Sequence, residues 1–262
     1  MKQHFYKYQG TGNDFIIFDG KKSNVHFNIE QIKMICNRRF GIGGDGLMIL
    51  EDSEASDFKM VYYNSDGKES SMCGNGGRCI VQFANRQNYI NDKTVFQAVD
   101  GEHSGTIIDQ KQQIVSLKMG DVNELEIGEK FICVDTGSPH FVKFVNNADE
   151  IDIVEKGRTI RNSDRFREKG INVNFVEKRG QNVLYLRTYE RGVEDETLSC
   201  GTGVTASVLA AVASGEIANN GICDVLTPGG KLSVHYVLEG KSFRQIYLVG
   251  PANFVFEGDI DL

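Results

Sequence analysis

Two cysteines in this 262-residue chain sit in nearly matching surroundings. Cys73 lies in "ESSMCGNGGRCI" (Glu69 to Ile80) and Cys200 in "ETLSCGTGVTAS" (Glu196 to Ser207). Each follows a glutamate by four positions and is followed at once by Gly-x-Gly. The residues after each motif read as a helix, so each cysteine stands at a helix mouth. There the orphan N–H groups and the positive end of the helix dipole favour an anion. The same field lowers a thiol's pKa from about 8.5 and leaves a usable thiolate fraction near neutrality. Glycine at the next positions lets a ligand approach the backbone closely. If two such mouths converge, one carboxylate fits between the helix ends with a sulfur on each side of the attached carbon. Stereoinversion needs that arrangement. One thiolate removes the α-proton, the opposite thiol delivers another, and fixed N–H donors stabilise the charge that develops on the carboxylate. Neither a pyridoxal cofactor nor a metal is required. The alternative is a pair of buried core cysteines, as free cysteines often are. The duplicated glycine-rich setting favours the chemistry.

The elements that must position these residues repeat with them. The cysteines are 127 residues apart, and other matches fall in the same order at nearly that offset. "GTGNDFIIF" pairs with "DTGSPHFVKF", "RRFGIGG" loosely with "DRFREKGINV", and "VYYNSDG" with "LRTYERG". A shared offset across several segments argues for an internal duplication. The spacing assigns 1–118 to an N-terminal half carrying Cys73 and 119–251 to a C-terminal half carrying Cys200. The segment 252–262 has no counterpart at that offset and is expected to rejoin the first half.

Within each half, "FKMVYY" and "VLYLRTY" are short β-rich runs ending just before the motifs. "GVTASVLAAVASG" is small or apolar on every side, so its helix must be buried, with Gly215 as its stop. "GRCIVQFANRQ" has the same character and is more polar. "IEQIKMICNRRFG" reads as an outer amphipathic helix with Asn28 as N-cap and Gly41 as its end. The expected fold class is α/β of the α+β type. It has two pseudo-symmetric halves, each a curved, mainly antiparallel sheet around one central helix, with the active site in the cleft between them. "GIGGDG" at Gly41–Gly46 matches a dinucleotide fingerprint literally. It follows a helix and leads into a strand, the reverse of the context that fingerprint needs.

Composition excludes other classes. A net charge of −7 argues against nucleic acid as a partner, and no run of 18 apolar residues suggests a membrane span. Six cysteines with no secretory leader read as reduced thiols of a soluble, cytoplasmic protein. Cys73 and Cys79 are six apart and no Cys-x-x-Cys occurs, so no metal site is expected.

The chain resembles the diaminopimelate epimerases over essentially its whole length. The residues that carry the resemblance are "GTGNDFIIFD", "RRFGIGGDG", "NSDGKESSMCGNGGRC", "GSPHFV", "GINVNF" and "YERGVEDETLSCGTG". The resemblance implies cofactor-independent interconversion of LL- and meso-2,6-diaminopimelate, in lysine and peptidoglycan precursor synthesis. It places Cys73 and Cys200 on the two catalytic cysteines, with His140 and Glu190 as further catalytic positions. It also implies that Gly74, Asn75, Gly201 and Thr202 hold the reacting carboxylate. Asn13, Asn64, Ser138, Asn172, Glu190 and Arg191 would read the rest of the substrate. Arg191 suits a carboxylate, which its planar fork can meet with two hydrogen bonds. A homodimer is the expected assembly. Three departures stand out: Ser138 replaces an asparagine before Pro-His, Gly46 stands near a glutamine-type contact, and "ERGVEDETLSC" is one residue longer than the family's common form. A proline or hydroxyproline racemase of the same fold is the competing reading, with "CGHG" expected where this chain has "CGNG". A thiol-redox protein is a further one, although redox pairs usually lie close in sequence.

Overall fold

The computed structural model describes residues 2–262, which divide into two compact units. One comprises the chain up to Leu117 together with Gly250–Leu262, the other Lys118–Val249.

In the first unit, β1 (Lys2–Gly10) and β2 (Asn13–Asp19) form a hairpin closed by Thr11 and Gly12, both at positive φ. The outer helix α1 (Ile29–Cys36) follows, then β3 (Gly46–Glu51), β4 (Phe58–Asn64) and the central helix α2 (Gly74–Arg86). Three strands complete the run, β5 (Lys93–Ala98), β6 (Gly101–Asp109) and β7 (Ile114–Lys118). The β2–β3 and β4–β5 pairings are parallel, while β1–β2, β3–β4, β5–β6 and β6–β7 are antiparallel.

The second unit runs β8 (Glu126–Ile127), β9 (Ile132–Asp135), β10 (Pro139–Phe144), α3 (Ile153–Arg161), β11 (Asn172–Gly180) and β12 (Val183–Glu190). It continues through β13 (Asp195–Thr197), the central helix α4 (Gly201–Ala213), β14 (Ile222–Thr227), β15 (Gly230–Glu239) and β16 (Ser242–Pro251). The alternation of the first unit recurs: β10–β11 and β12–β14 are parallel, and β9–β10, β11–β12, β14–β15 and β15–β16 antiparallel. The last strand, β17 (Asn253–Asp261), pairs antiparallel with β1 in the first unit.

Register ties the two units together as copies. Leu47 faces Tyr63 across β3–β4, and Val173 faces Tyr189 across β11–β12, both pairs displaced by 126 positions. Each unit is therefore the expected mixed, mainly antiparallel sheet with one central helix. The helices are central for a physical reason. In α2 every residue from Gly74 to Ala84 is buried, and α4 is buried almost throughout its apolar length. Gly215, at positive φ, follows the end of α4 as expected.

One helix boundary differs from the sequence reading. Asn28 caps α1 with a full capping box, but the helix stops at Cys36, short of Gly41. The Asn37 side chain accepts hydrogen bonds from the backbone N–H groups of Arg39 and Phe40, which turns the chain out of the helix. Gly41 then folds back against the helix end, where a Cβ would lie 2.0 Å from the Met34 carbonyl oxygen. Gly41 is needed for this return, not for the cap.

Candidate active site

Cys73 and Cys200 are the N-cap residues of α2 and α4, both with extended backbone (φ −102° and −113°). Neither side chain caps its own helix. The first helical hydrogen bonds run from Gly77 N–H to the Cys73 carbonyl and from Val204 N–H to the Cys200 carbonyl. The N–H groups of Gly74, Asn75 and Gly76, and of Gly201, Thr202 and Gly203, thus lie in the helix ends, where no intrahelical acceptor exists.

Around Cys73 the first unit places Asn13 at the start of β2, its Nδ2 3.9 Å from the Cys73 Sγ. The neighbouring Asp14 locks that hairpin to the Gly41–Asp45 loop. Arg38 meets its carboxylate with two hydrogen bonds (3.0 and 2.6 Å) and Lys7 with an ion pair at 2.7 Å. Burial alone would raise the Asp14 carboxyl, but the bonds from Arg38 and Lys7 outweigh it and hold the group down at about 2. Asn64 lies at the exposed end of β4, opposite Gly46. At Gly46 a side chain would run into the ring of Tyr62, 2.5 Å from a built Cβ, which explains why glycine stands there.

Around Cys200 the second unit builds a continuous polar chain. His140 is on β10 and 0 % exposed. Asn174 donates from Nδ2 to the Phe141 carbonyl and to His140 Nδ1 (3.0 Å), while its Oδ1 accepts from the Thr188 hydroxyl. With Nδ1 accepting, the imidazole carries its proton on Nε2 and donates it to Thr202 Oγ1 at 2.9 Å. The Thr202 hydroxyl is in turn 3.5 Å from the Cys200 Sγ. Burial, with Arg191 repulsion behind it, pushes His140 down to about 3, although the Asn174 bond works the other way; the ring is neutral near pH 7. A second cluster joins Ser138, Asn172 and Arg191. Asn172 donates to Ser138 Oγ (2.9 Å) and accepts from the Arg191 backbone N–H (2.9 Å), and the Arg191 guanidinium donates to the Lys169 carbonyl. Glu190 accepts from the Thr197 hydroxyl at 2.9 Å.

Other residues of the motifs have structural work. Glu196 forms a two-bond ion pair with Arg187 (2.7 and 2.7 Å) on β12, and Glu69 is exposed beside Tyr63. Asn174, Thr188 and Arg78 were not singled out by the sequence reading. For Asn174 a signal existed: it lies two positions beyond Asn172 on one strand and so on the same face.

Comparison with known proteins identifies the family. A family model described as diaminopimelate epimerase matches residues 5–125 and 132–255. The diaminopimelate epimerase of Flavobacterium psychrophilum is 50% identical over 256 residues, covering 97% of this chain and 99% of that protein. That of Chlorobaculum tepidum is 38% identical over 258 residues, with 97% and 99% covered. Among solved structures, a PhzF-family protein of Bacillus anthracis superposes with a TM-score of 0.75 at 14% identity, all of both chains being covered. A hydroxyproline epimerase of Agrobacterium vitis gives 0.70 at 13%, covering 100% of this chain and 93% of that one. At such identities the structures show the shared fold. The sequence matches show more: the chain belongs to the diaminopimelate epimerase family.

Proposed function

We infer that the protein is an isomerase, a cofactor-independent epimerase that interconverts LL- and meso-2,6-diaminopimelate and so serves lysine and peptidoglycan precursor synthesis. The observation that carries the reading is the pair of cysteine N-caps, one on the central helix of each duplicated unit, neither used to cap its helix. In this reading one thiolate takes the α-proton and the other thiol returns one to the opposite face. The N–H groups of Gly74, Asn75, Gly201 and Thr202 hold the carboxylate whose charge grows as the proton leaves. Asn13, Asn64, Ser138, Asn172, Glu190 and Arg191 read the amino group and the distal amino-acid head. The Ser138–Asn172–Arg191 cluster supports this, since it holds a guanidinium fork in place for a second carboxylate. His140 acts through Thr202 on Cys200.

A cytoplasmic setting fits six free cysteines, and no described helix is long and apolar enough to cross a membrane. Pairing as a homodimer is supported by exposed apolar side chains at Ile29, Met34 and Phe40, the last 83% exposed. The purified protein, without added cofactor, is expected to convert LL-diaminopimelate to the meso form by chiral chromatography and to leave L-proline unchanged. Efficient turnover of L-proline with none of diaminopimelate would replace this reading by the racemase one.

A further inference from the structure

Thr188, Asn174, His140 and Thr202 form one line of hydrogen bonds in the second unit, ending at the mouth of α4. The first three are enclosed, none more than 2 % exposed, so the protein itself supplies their partners. The direction of the whole line follows from one backbone atom. A carbonyl oxygen only accepts, so the Phe141 carbonyl, 3.2 Å from Asn174 Nδ2, fixes the amide nitrogen on its side. The same nitrogen donates to His140 Nδ1 at 3.0 Å. The amide oxygen is left for the Thr188 hydroxyl, which donates to it at 2.9 Å. Nδ1 therefore carries no hydrogen, and a doubly protonated ring would set two hydrogens against each other there. The one ring hydrogen is on Nε2, 2.9 Å from Thr202 Oγ1.

A second amide is consistent with this. Asn172 Nδ2 comes within 3.5 Å of His140 Nε2. Its orientation is also fixed by backbone, because its Oδ1 accepts from the Arg191 N–H. Its two hydrogens have closer acceptors in Ser138 Oγ (2.9 Å) and the Pro139 carbonyl (3.3 Å), so the contact asks no lone pair of Nε2.

What reaches Cys200 depends on this tautomer. With Nε2 donating, Thr202 Oγ1 accepts and keeps its own hydrogen for the Cys200 Sγ at 3.5 Å. With the hydrogen on Nδ1 instead, Nε2 would draw the Thr202 hydrogen to itself and turn an oxygen lone pair toward the sulfur. A donated hydrogen stabilises a thiolate, and a lone pair opposes it.

We propose that Asn174, braced by Thr188, is a positioning residue that sets the His140 tautomer, so that the ring serves Cys200 as a hydrogen-bond donor through Thr202 and not as a base. The proposal deepens the function given above and rests on its reading of Cys200 as one acid/base group.

The tautomer is read in the substrate-free full-length protein, labelled with 15N-histidine, by two-bond 1H–15N correlation NMR near neutral pH. Signals that vanish in His140→Gln belong to this ring. Nε2 is expected to be protonated and Nδ1 bare. A hydrogen on Nδ1 would overturn the proposal, and that result needs no further variant to fold. Asn174→Asp exchanges the donor for an acceptor of the same size and should bring a hydrogen onto Nδ1. A bare Nδ1 in that variant, with native circular dichroism, would also overturn it. Asn174→Leu removes the donor without adding charge. It should lower kcat for LL-diaminopimelate by about tenfold or more and change KM by less than about twofold, since a wrong tautomer slows chemistry more than binding. An unchanged kcat would detach the tautomer from Cys200 and refute the proposal. The spectra involve no substrate, so failure of the unaltered protein to epimerise diaminopimelate would count against the proposed function and not against the tautomer.

Discussion

The sheet beneath α2 and the sheet beneath α4 repeat each other in register and differ in chemistry. Phe15, Gly46, Met48 and Tyr62 occupy in the first unit the places that His140, Asn172, Asn174 and Thr188 occupy in the second. The first set is a packed apolar floor, with Phe15 and Met48 0 % exposed and the Phe15 and Tyr62 rings 6.0 Å apart. The second is a hydrogen-bonded relay leading to Thr202 and Cys200. Each helix mouth needs polar bracing. In the first unit the brace comes from the helix itself through Arg78, and in the second from the strands through His140. Duplication has preserved the helix ends and let their supports diverge.

The largest expected effect falls where the two units agree. Replacing Cys73 or Cys200 by alanine should lower the rate of inversion by the ~10²–10⁴-fold associated with one positioned acid/base group. Thermal stability should change little, since neither side chain caps its helix. Inversion at an undiminished rate by either variant, measured by chiral chromatography, would remove that cysteine from the mechanism.

A matched pair of glycines sharpens the difference between the floors. A Cβ added at Gly203 would lie 2.6 Å from Asn174 Oδ1 and 3.3 Å from His140 Cε1, against a rigid network. At Gly76, the equivalent position, it would meet Met48 Sδ at 3.4 Å and the Phe15 ring at 3.5 Å, in ordinary contact. Gly203→Ala should therefore destabilise by about 1–3 kcal/mol and disturb the relay. Gly76→Ala should cost less than about 0.5 kcal/mol, because alanine also suits a helix better. Equal losses on denaturant titration would mean that the floors do not differ as described.

Acid should then act on the second unit through His140. Its imidazole is held at about 3, against about 6.5 in an unfolded chain, so the unfolded state binds the proton more readily. Stability from this group is complete above about pH 6.5 and is lost as pH falls toward the depressed value. In His140→Gln the decline in Tm between about pH 7 and about pH 4.5 should be shallower than in the parent chain. Parallel curves would indicate that the ring is not held neutral.

Much of this was legible in the residues themselves. The two Cys-Gly-x-Gly motifs marked both helix mouths, the shared offset exposed the duplication, and the uniform apolarity of "GVTASVLAAV" required a buried helix. The outer helix was read too long because Asn37 uses its side chain locally, a competition that hydrophobic periodicity cannot register. Arg78 and Asn174 were passed over since a charged or amide side chain is read as solvated until packing shows it enclosed.

Two-thiol inversion is tested most directly by the origin of the incoming hydrogen. The protein is incubated with LL-diaminopimelate in D2O, and at early times the stereoisomers are separated and weighed by mass spectrometry. Thiol hydrogens exchange with solvent while the site is open, so the thiol that completes the reaction carries deuterium. The meso product should hold one deuterium at the inverted carbon, while unreacted LL substrate remains protiated. Product that retains the original hydrogen would contradict the assignment of Cys73 and Cys200 to opposite faces of the reaction.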